Sequence, residues 1–409
     1  MCKPSPAAEA AIPTATAATE IPPAKACRDP ARPSTAALGP EPAVVPQTSA
    51  DYCTKLSEIA LTDEEASRNE YHFRYFGLLD PLLLSQMKDK RDLPLVYLQL
   101  NIVTFLWPLA ACLVFGGNGV IHGTKPTGGE VEGEVGDSSC ADWRTWSLAV
   151  VYLAMLIVGF FERFILMMHF SSHRKLYHAT PLNNFTLYCL APFFGVPPGI
   201  YYLHHIIMHH GENNHGLDVS ETESYHREEN MGFFQYWARF TFGLYHELPL
   251  YALKTKRYSW FWTSVVSIAV WVAMIAFCCM YFSTAGTLFV FVVPHYFALT
   301  AMALGNYAQH VFVDPDSPGN NYTLSYNCLN TEANQTSFND GYHILHHIYP
   351  RLHWTELPQK FKDTLGEHKR NKALTFRNTH FLPVAILLLT GQLERLPRGH
   401  HVFIDWAGG

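Results

Sequence analysis

An all-α integral membrane protein is the fold class this sequence predicts, with four transmembrane helices and a cytosolic-face helical cap carrying clustered histidines. Three observations predict it. Hydrophobic residues make up 48 % of the 409 residues and charged ones only 16 %, below the roughly 25 % charge of soluble globular chains. The apolar residues are bunched into long runs rather than spread with an amphipathic period. Thirteen of the 22 histidines sit in tight clusters beside those runs.

Residues 1–50 are dominated by alanine and proline, a composition that buries too little apolar surface to order itself. Glu9, Glu20, Asp29 and Glu41 break the acidic-poor rule of plastid transit peptides. A disordered tail is therefore favoured over a transit peptide, and the endoplasmic reticulum over a plastid membrane. Four runs reach the ~20 residues a spanning helix needs: Leu93–Phe115, Trp146–Met168, Trp260–Phe282, and Thr287 to His310. Pro294 and His295 are expected to lengthen or kink the last. Phe185–Tyr202, broken by three prolines, reads as a re-entrant or interfacial element, and Phe381–Leu389 is too short to cross. The expected organisation is a tail (1–50), a cytosolic N-terminal segment (51–92), a membrane domain (93–355) and a cytosolic or interfacial C-terminal segment (356–409). At the join of the last two, Trp354 to Lys369 reads as an amphipathic helix lying on the membrane.

Lys88, Lys90 and Arg91 precede the first run, Arg174 and Lys175 follow the second, and Lys254, Lys256 and Arg257 precede the third. The loop between the first two carries Glu130, Glu132, Glu134 and Asp137 against Lys125 and Arg144. The positive-inside rule then puts both termini on the cytosolic side and Ser283–Gly286 in a tight turn on the far side. This topology gathers every histidine cluster on one membrane face. The glycosylation acceptor patterns at Asn184, Asn321 and Asn334 fall on that same side and are expected to go unused.

Histidine is the commonest metal ligand among side chains, through its neutral imidazole. His169/His173, His205/His209, His343/His346 and Asn306/His310 stand three or four apart, on one helix face each. The doublets His209-His210 and His346-His347 point about 100° apart on a helix. Each can send one ring to each of two neighbouring metals. The nine cysteines show no C-x-x-C spacing, so neither a zinc ribbon nor a disulfide framework is indicated. Nitrogen ligation disfavours iron–sulfur clusters and leaves zinc, non-haem iron or copper. The net charge of −6, with no basic stripe, excludes a nucleic-acid partner.

Met168-His-Phe-Ser-Ser-His-Arg174, His205-Ile-Ile-Met-His-His210 and Gly341-Tyr-His-Ile-Leu-His-His-Ile-Tyr-Pro350 resemble, in order, the three histidine boxes of the membrane fatty-acid desaturase and hydroxylase superfamily. Asn306-x3-His310 resembles the extra histidine of acyl-CoA desaturases and the asparagine that holds a metal-bound water there. The resemblance covers roughly residues 90–355. It implies two iron ions, held by His169, His173, His205, His209, His210, His310, His343, His346 and His347, with Asn306 acting through water. It also implies dioxygen as co-substrate, an acyl-lipid or acyl-CoA drawn from the bilayer into a tunnel among the spans, and external electrons. No His-Pro-Gly-Gly haem motif is present, so a separate donor such as cytochrome b5 or a ferredoxin is expected.

The first box departs from the acyl-CoA desaturases, which place four residues between its histidines where His169 and His173 have three. His173-x4-His178 keeps the longer spacing and makes His178 an alternate ligand. Three-residue spacing occurs in front-end and sphingolipid desaturases, so both substrate classes stay open. His204, His215 and His353 are candidates for residues that orient ligands or replace one. His295 reads as a packing or tunnel residue, and Asp218, Glu221 and Glu223 as a solvated acidic face. The expected activity is introduction of a C=C bond into an acyl chain. A lipid or carotenoid hydroxylase or ketolase on the same scaffold is the alternative. A zinc membrane hydrolase and a non-catalytic membrane receptor are more remote.

Overall fold

The computed structural model describes Asp63, residues 73–116, 143–227, 230–314, 316, 317 and 319–395, and the backbone of 402 and 403. The expected tail and the acidic loop between the first two spans lie outside the described residues. The protein is mostly helical, and four helices are long and apolar enough to cross a membrane: Lys90–Phe115, Trp143–His173, Tyr258–Tyr281 and Thr284–His310. The second has 31 residues and the fourth 27. At ~1.5 Å per residue these run to ~46 and ~40 Å, against ~30 Å of hydrocarbon. Both helices are thus longer than the apolar layer requires, and their last turns hold His169, His173 and His310.

Pro294 does not break the fourth span. The wider, π-type stretch Leu288–Val292 directly before it absorbs the missing N–H, and the helix runs on to His310. The first span does the same, with Ile102–Leu106 ahead of Trp107-Pro108. Ser283 is a helix cap rather than part of a free turn: its hydroxyl accepts from the Gly286 N–H, and Thr284–Thr287 is already helical. This start packs against the end of the first span, where Ser283 N–H donates to the Val114 carbonyl at 3.0 Å. A Cβ on Gly286 would lie 1.9 Å from the Leu113 carbonyl oxygen. Gly286→Ala is therefore expected to force the two spans apart and to cost about 1–3 kcal/mol. A thermal unfolding midpoint in detergent equal to that of the parent would refute the contact.

Phe185–Tyr202 forms a short apolar helix, Phe185–Phe194, then a turn and the start of the next helix. Gly195 ends that helix with φ +76°. Its carbonyl receives the His295 Nδ1 at 2.6 Å, so His295 ties the fourth span to this turn. The helix that follows, residues 200–212, carries the second box.

Beyond the fourth span the chain builds the cap. Asn327–Leu329 pairs in parallel with Thr375–Arg377, which pairs antiparallel with Val402–Phe403. The third box occupies His343–Ile348. The single membrane-lying helix expected over 354–369 is replaced by three short helices, Trp354–Glu356, Leu357–Asp363 and Leu365–Arg370. Trp354, Leu357 and Phe361 are buried within the protein. Apolar residues four apart suit a core helix as well as an interfacial one, and here the core takes them. Phe381–Leu389 packs on the fourth span. Asn334 is also buried, its side chain donating to the Cys328 carbonyl at 3.0 Å.

Candidate metal centre

The ends of the second and fourth spans, the 200–212 helix and His343–Ile348 meet so that nine imidazoles converge. Ring nitrogens of His169, His173, His205 and His346 lie within 4.8 Å of one another. His169 Nε2 and His346 Nε2 are 2.7 Å apart, and His173 Nε2 and His205 Nε2 3.0 Å. His210 joins this first group, with Nε2 at 3.2 Å from His205 and 3.1 Å from His346. A second group consists of His209, His310 and His347. His343 extends it, its Nε2 lying 3.2 Å from His310 Nε2. Each doublet is divided: His209 falls in the second group and His210 in the first, His346 in the first and His347 in the second. The rings of each pair stand nearly perpendicular, at 79° and 78°.

Burial fixes the protonation these groups need. It pushes His205, His210, His346 and His347 well below the ordinary imidazole value, and neighbouring rings add to the effect. His343 is held at about 3 by the same cause. The neutral ring is the form that offers a lone pair to a metal. Both nitrogens of His347 and Nδ1 of His343 are buried without a hydrogen-bond partner among the described residues. A metal ion would satisfy such orphaned nitrogens, so the donor set fits one ion per group.

Ligand orientation comes from outside the boxes. His310 Nδ1 donates to the Leu324 carbonyl at 2.9 Å, and His209 Nδ1 meets Asp218 Oδ2 at 2.8 Å. In both rings Nε2 is left for the second group, an arrangement common behind metal-bound histidines. Asp218 and Glu221 do not form a solvated face. Asp218 is fully buried and also accepts from the Ser220 backbone and hydroxyl, while Glu221 is buried against Ser224 and Arg239. No helical spacing links Asp218 to His209 across the intervening loop, so no sequence signal marked it.

The remaining candidates separate clearly. His178 is exposed and lies in neither group. His215 is half-exposed and bonded to Glu223 at 2.6 Å. His353 is buried against Asp92, with Nε2 at 3.0 Å from Oδ1. Asn306, one turn before His310, donates to the Ser220 carbonyl and the Tyr236 hydroxyl, both at 2.8 Å. His204 is buried, and its Nε2 has no partner among the described residues. It faces an apolar cleft lined by Val196, Pro197, Tyr201, Leu244 and Leu299. Tyr201 stacks on His205 at 5.2 Å, which puts this cleft directly beside the first group.

A comparison with curated proteins and one with solved structures each gave no match. A comparison with protein families matched the fatty acid desaturase model over residues 145–376, more than half of the chain. That stretch runs through all three histidine boxes and His310, which together form the two nitrogen-lined groups. The chain belongs to the fatty acid desaturase family.

Proposed function

We propose that the chain is a di-iron, dioxygen-dependent lipid desaturase that introduces a C=C bond into an acyl chain, using electrons from a separate donor such as cytochrome b5 or a ferredoxin. Family membership supports an oxidoreductase acting on a lipid in a membrane. The observation that carries the finer reading is the pair of adjacent nitrogen-lined groups with an apolar cleft beside them. His169, His173, His205, His210 and His346 would hold one iron; His209, His310, His343 and His347 would hold the other, with Asn306 acting through a water. Bound there, the irons would supply the oxidising chemistry that removes hydrogen from an unactivated C–H bond, as metal cofactors do in such sites.

The protein's own residues do the rest. Burial favours the neutral rings of His205, His210, His343, His346 and His347, and Asp218 and the Leu324 carbonyl hold His209 and His310 in orientation. The apolar residues Pro197, Tyr201, Leu244 and Leu299 beside the first group would line the path of an alkyl chain and keep water from the reacting carbons. The balance is one dioxygen, two electrons and two protons in, with two hydrogens taken from adjacent carbons and two waters out.

Mass-spectrometric lipid and pigment profiling of a null host expressing the chain tests this. A new species lighter by two hydrogens, formed only in the presence of dioxygen, is expected. A product heavier by one oxygen would replace the desaturase by a hydroxylase. An unchanged lipid profile, with zinc rather than iron in the purified protein, would overturn the oxidative reading.

A further inference from the structure

Outside the histidine groups, one buried cluster of charge joins three distant parts of the chain. Asp89 and Asp92 lie at the start of the first span, Arg174 directly follows His173, and His353 follows the third box. Asp92 is fully buried and its Oδ1 accepts from His353 Nε2 at 3.0 Å and from Arg174 at 3.4 Å. A second arm of the same guanidinium reaches Asp89 Oδ2 at 3.2 Å. His353 Nδ1 accepts the Thr355 N–H at 3.1 Å, which fixes the ring as an Nε2–H donor toward Asp92. Arg91 closes the outer rim, bonded to Asp89 and, at 2.6 Å, to Glu356.

Asp89, Asp92 and His353 are close enough to hold a cation of their own, and Asp92 Oδ2 has no partner among the described residues. The two carboxylates, however, are already matched by the guanidiniums of Arg91 and Arg174. A further positive ion would have to displace or repel them. The chemistry is that of a closed clasp.

Its position says what it clasps. The second span ends at His173, and Arg174 leaves it in an extended conformation (φ −133°, ψ 141°). With no further helical turn to hold His173, the Arg174 side chain is the first anchor of this exit, ahead of the backbone bridge between Met87 and Tyr177 three residues on. The other end of the clasp, His353, holds the chain that has just left His346 and His347. His173 and His346 belong to the first group. The second group has separate supports in Asp218 and the Leu324 carbonyl.

We propose that Asp92, Arg174 and His353 are positioning residues that hold His173 and His346 together, so that the first metal position is completed only when the start of the first span is docked. The proposal rests on the two-group reading above. It makes the first span part of the metal centre although that span supplies no ligand.

The test is metal content of the full-length protein purified in detergent, measured after dialysis against a chelator and alongside thermal unfolding. The parent is expected to retain about two irons per chain and Asp92→Asn about one, since lost outer support weakens metal binding ~10–100-fold. Arg174→Lys, which keeps the charge but not the fork, should weaken retention in the same direction and carries the test if Asp92→Asn does not fold. His353→Ala should lose metal, whereas His353→Gln, which keeps an N–H donor, should restore it. Glu356→Gln, on the outer rim, should change nothing. Two irons retained in Asp92→Asn and Arg174→Lys would overturn the clasp while leaving the two-group reading intact. A third metal in the parent, lost in Asp92→Asn, would overturn it in favour of a cation site. A parent that holds fewer than two metals would overturn the two-group reading and the clasp with it.

Discussion

His346→Ala and His347→Ala are each expected to abolish product formation while removing different metals. His346 Nε2 lies 2.7 Å from His169 Nε2 and 3.1 Å from His210 Nε2, inside the first group. The next ring along the chain turns nearly perpendicular and packs among His209, His310 and His343, at centroid separations of 5.2, 4.9 and 4.9 Å. Truncating either residue takes one nitrogen from one group and leaves the other set whole. Metal per chain should then fall from about two to about one in each variant. The double variant should approach zero, because each group would have lost a ligand. Losses additive in metal but complete in product from the first substitution would indicate two separate sites serving one reaction. Metal analysis by mass spectrometry, paired with lipid profiling of the same preparations, reads both quantities. If either single variant kept both metals and made product, the division of the doublet between two groups would be wrong.

That division was legible in the sequence because it is local. Adjacent residues on a helix diverge by a fixed angle, and residues three or four apart share a face, whatever the rest of the chain does. The spans were legible for the same reason, since a run of apolar residues long enough to cross a bilayer has few soluble alternatives. What escaped is non-local. His353 meets Asp92 across 261 residues of chain, and Asn327–Leu329 finds its partner strand at Thr375–Arg377. Phe361 and Leu365, four apart, satisfy a membrane-lying helix and a core helix equally. Only packing against Tyr342 and His368 makes Phe361 a core residue. Pro294 is expected from the sequence to lengthen or kink the fourth span, and the structure takes it up in the preceding π-type stretch without ending the helix. The ligands were thus open to inspection from spacing, while the groups that aim them were hidden until the chain closed on itself.

Asp218 is the clearest of those hidden groups, and removing it should weaken the second metal alone. Burial pushes its carboxyl up, but the His209 ring and the Ser220 donors outweigh that and hold it at about 2, below the ordinary 3.8. It is therefore ionised across the working pH range and can only accept hydrogen bonds. His209 must then carry its proton on Nδ1, facing Asp218 at 2.8 Å, and present the Nε2 lone pair to the second group. Asp218→Ala releases that constraint. The ring can rotate or exchange tautomers, and Ser220 loses the acceptor it bonds at 2.8 and 2.6 Å. Affinity at the second group should fall ~10–100-fold, with the first unaffected and product partly restored by excess iron. Because the folded-state value is depressed, the carboxylate's contribution is present above the ordinary value and is lost only as pH falls through about 2. The difference between Asp218→Ala and its parent should accordingly be flat from about pH 5 to 8. A chelator-competition titration across that range reads both the size and the flatness. Equal affinities in the two proteins would show that His209 is held by packing alone. A difference that grew or vanished within the range would show that some other titrating group sets the orientation of His209.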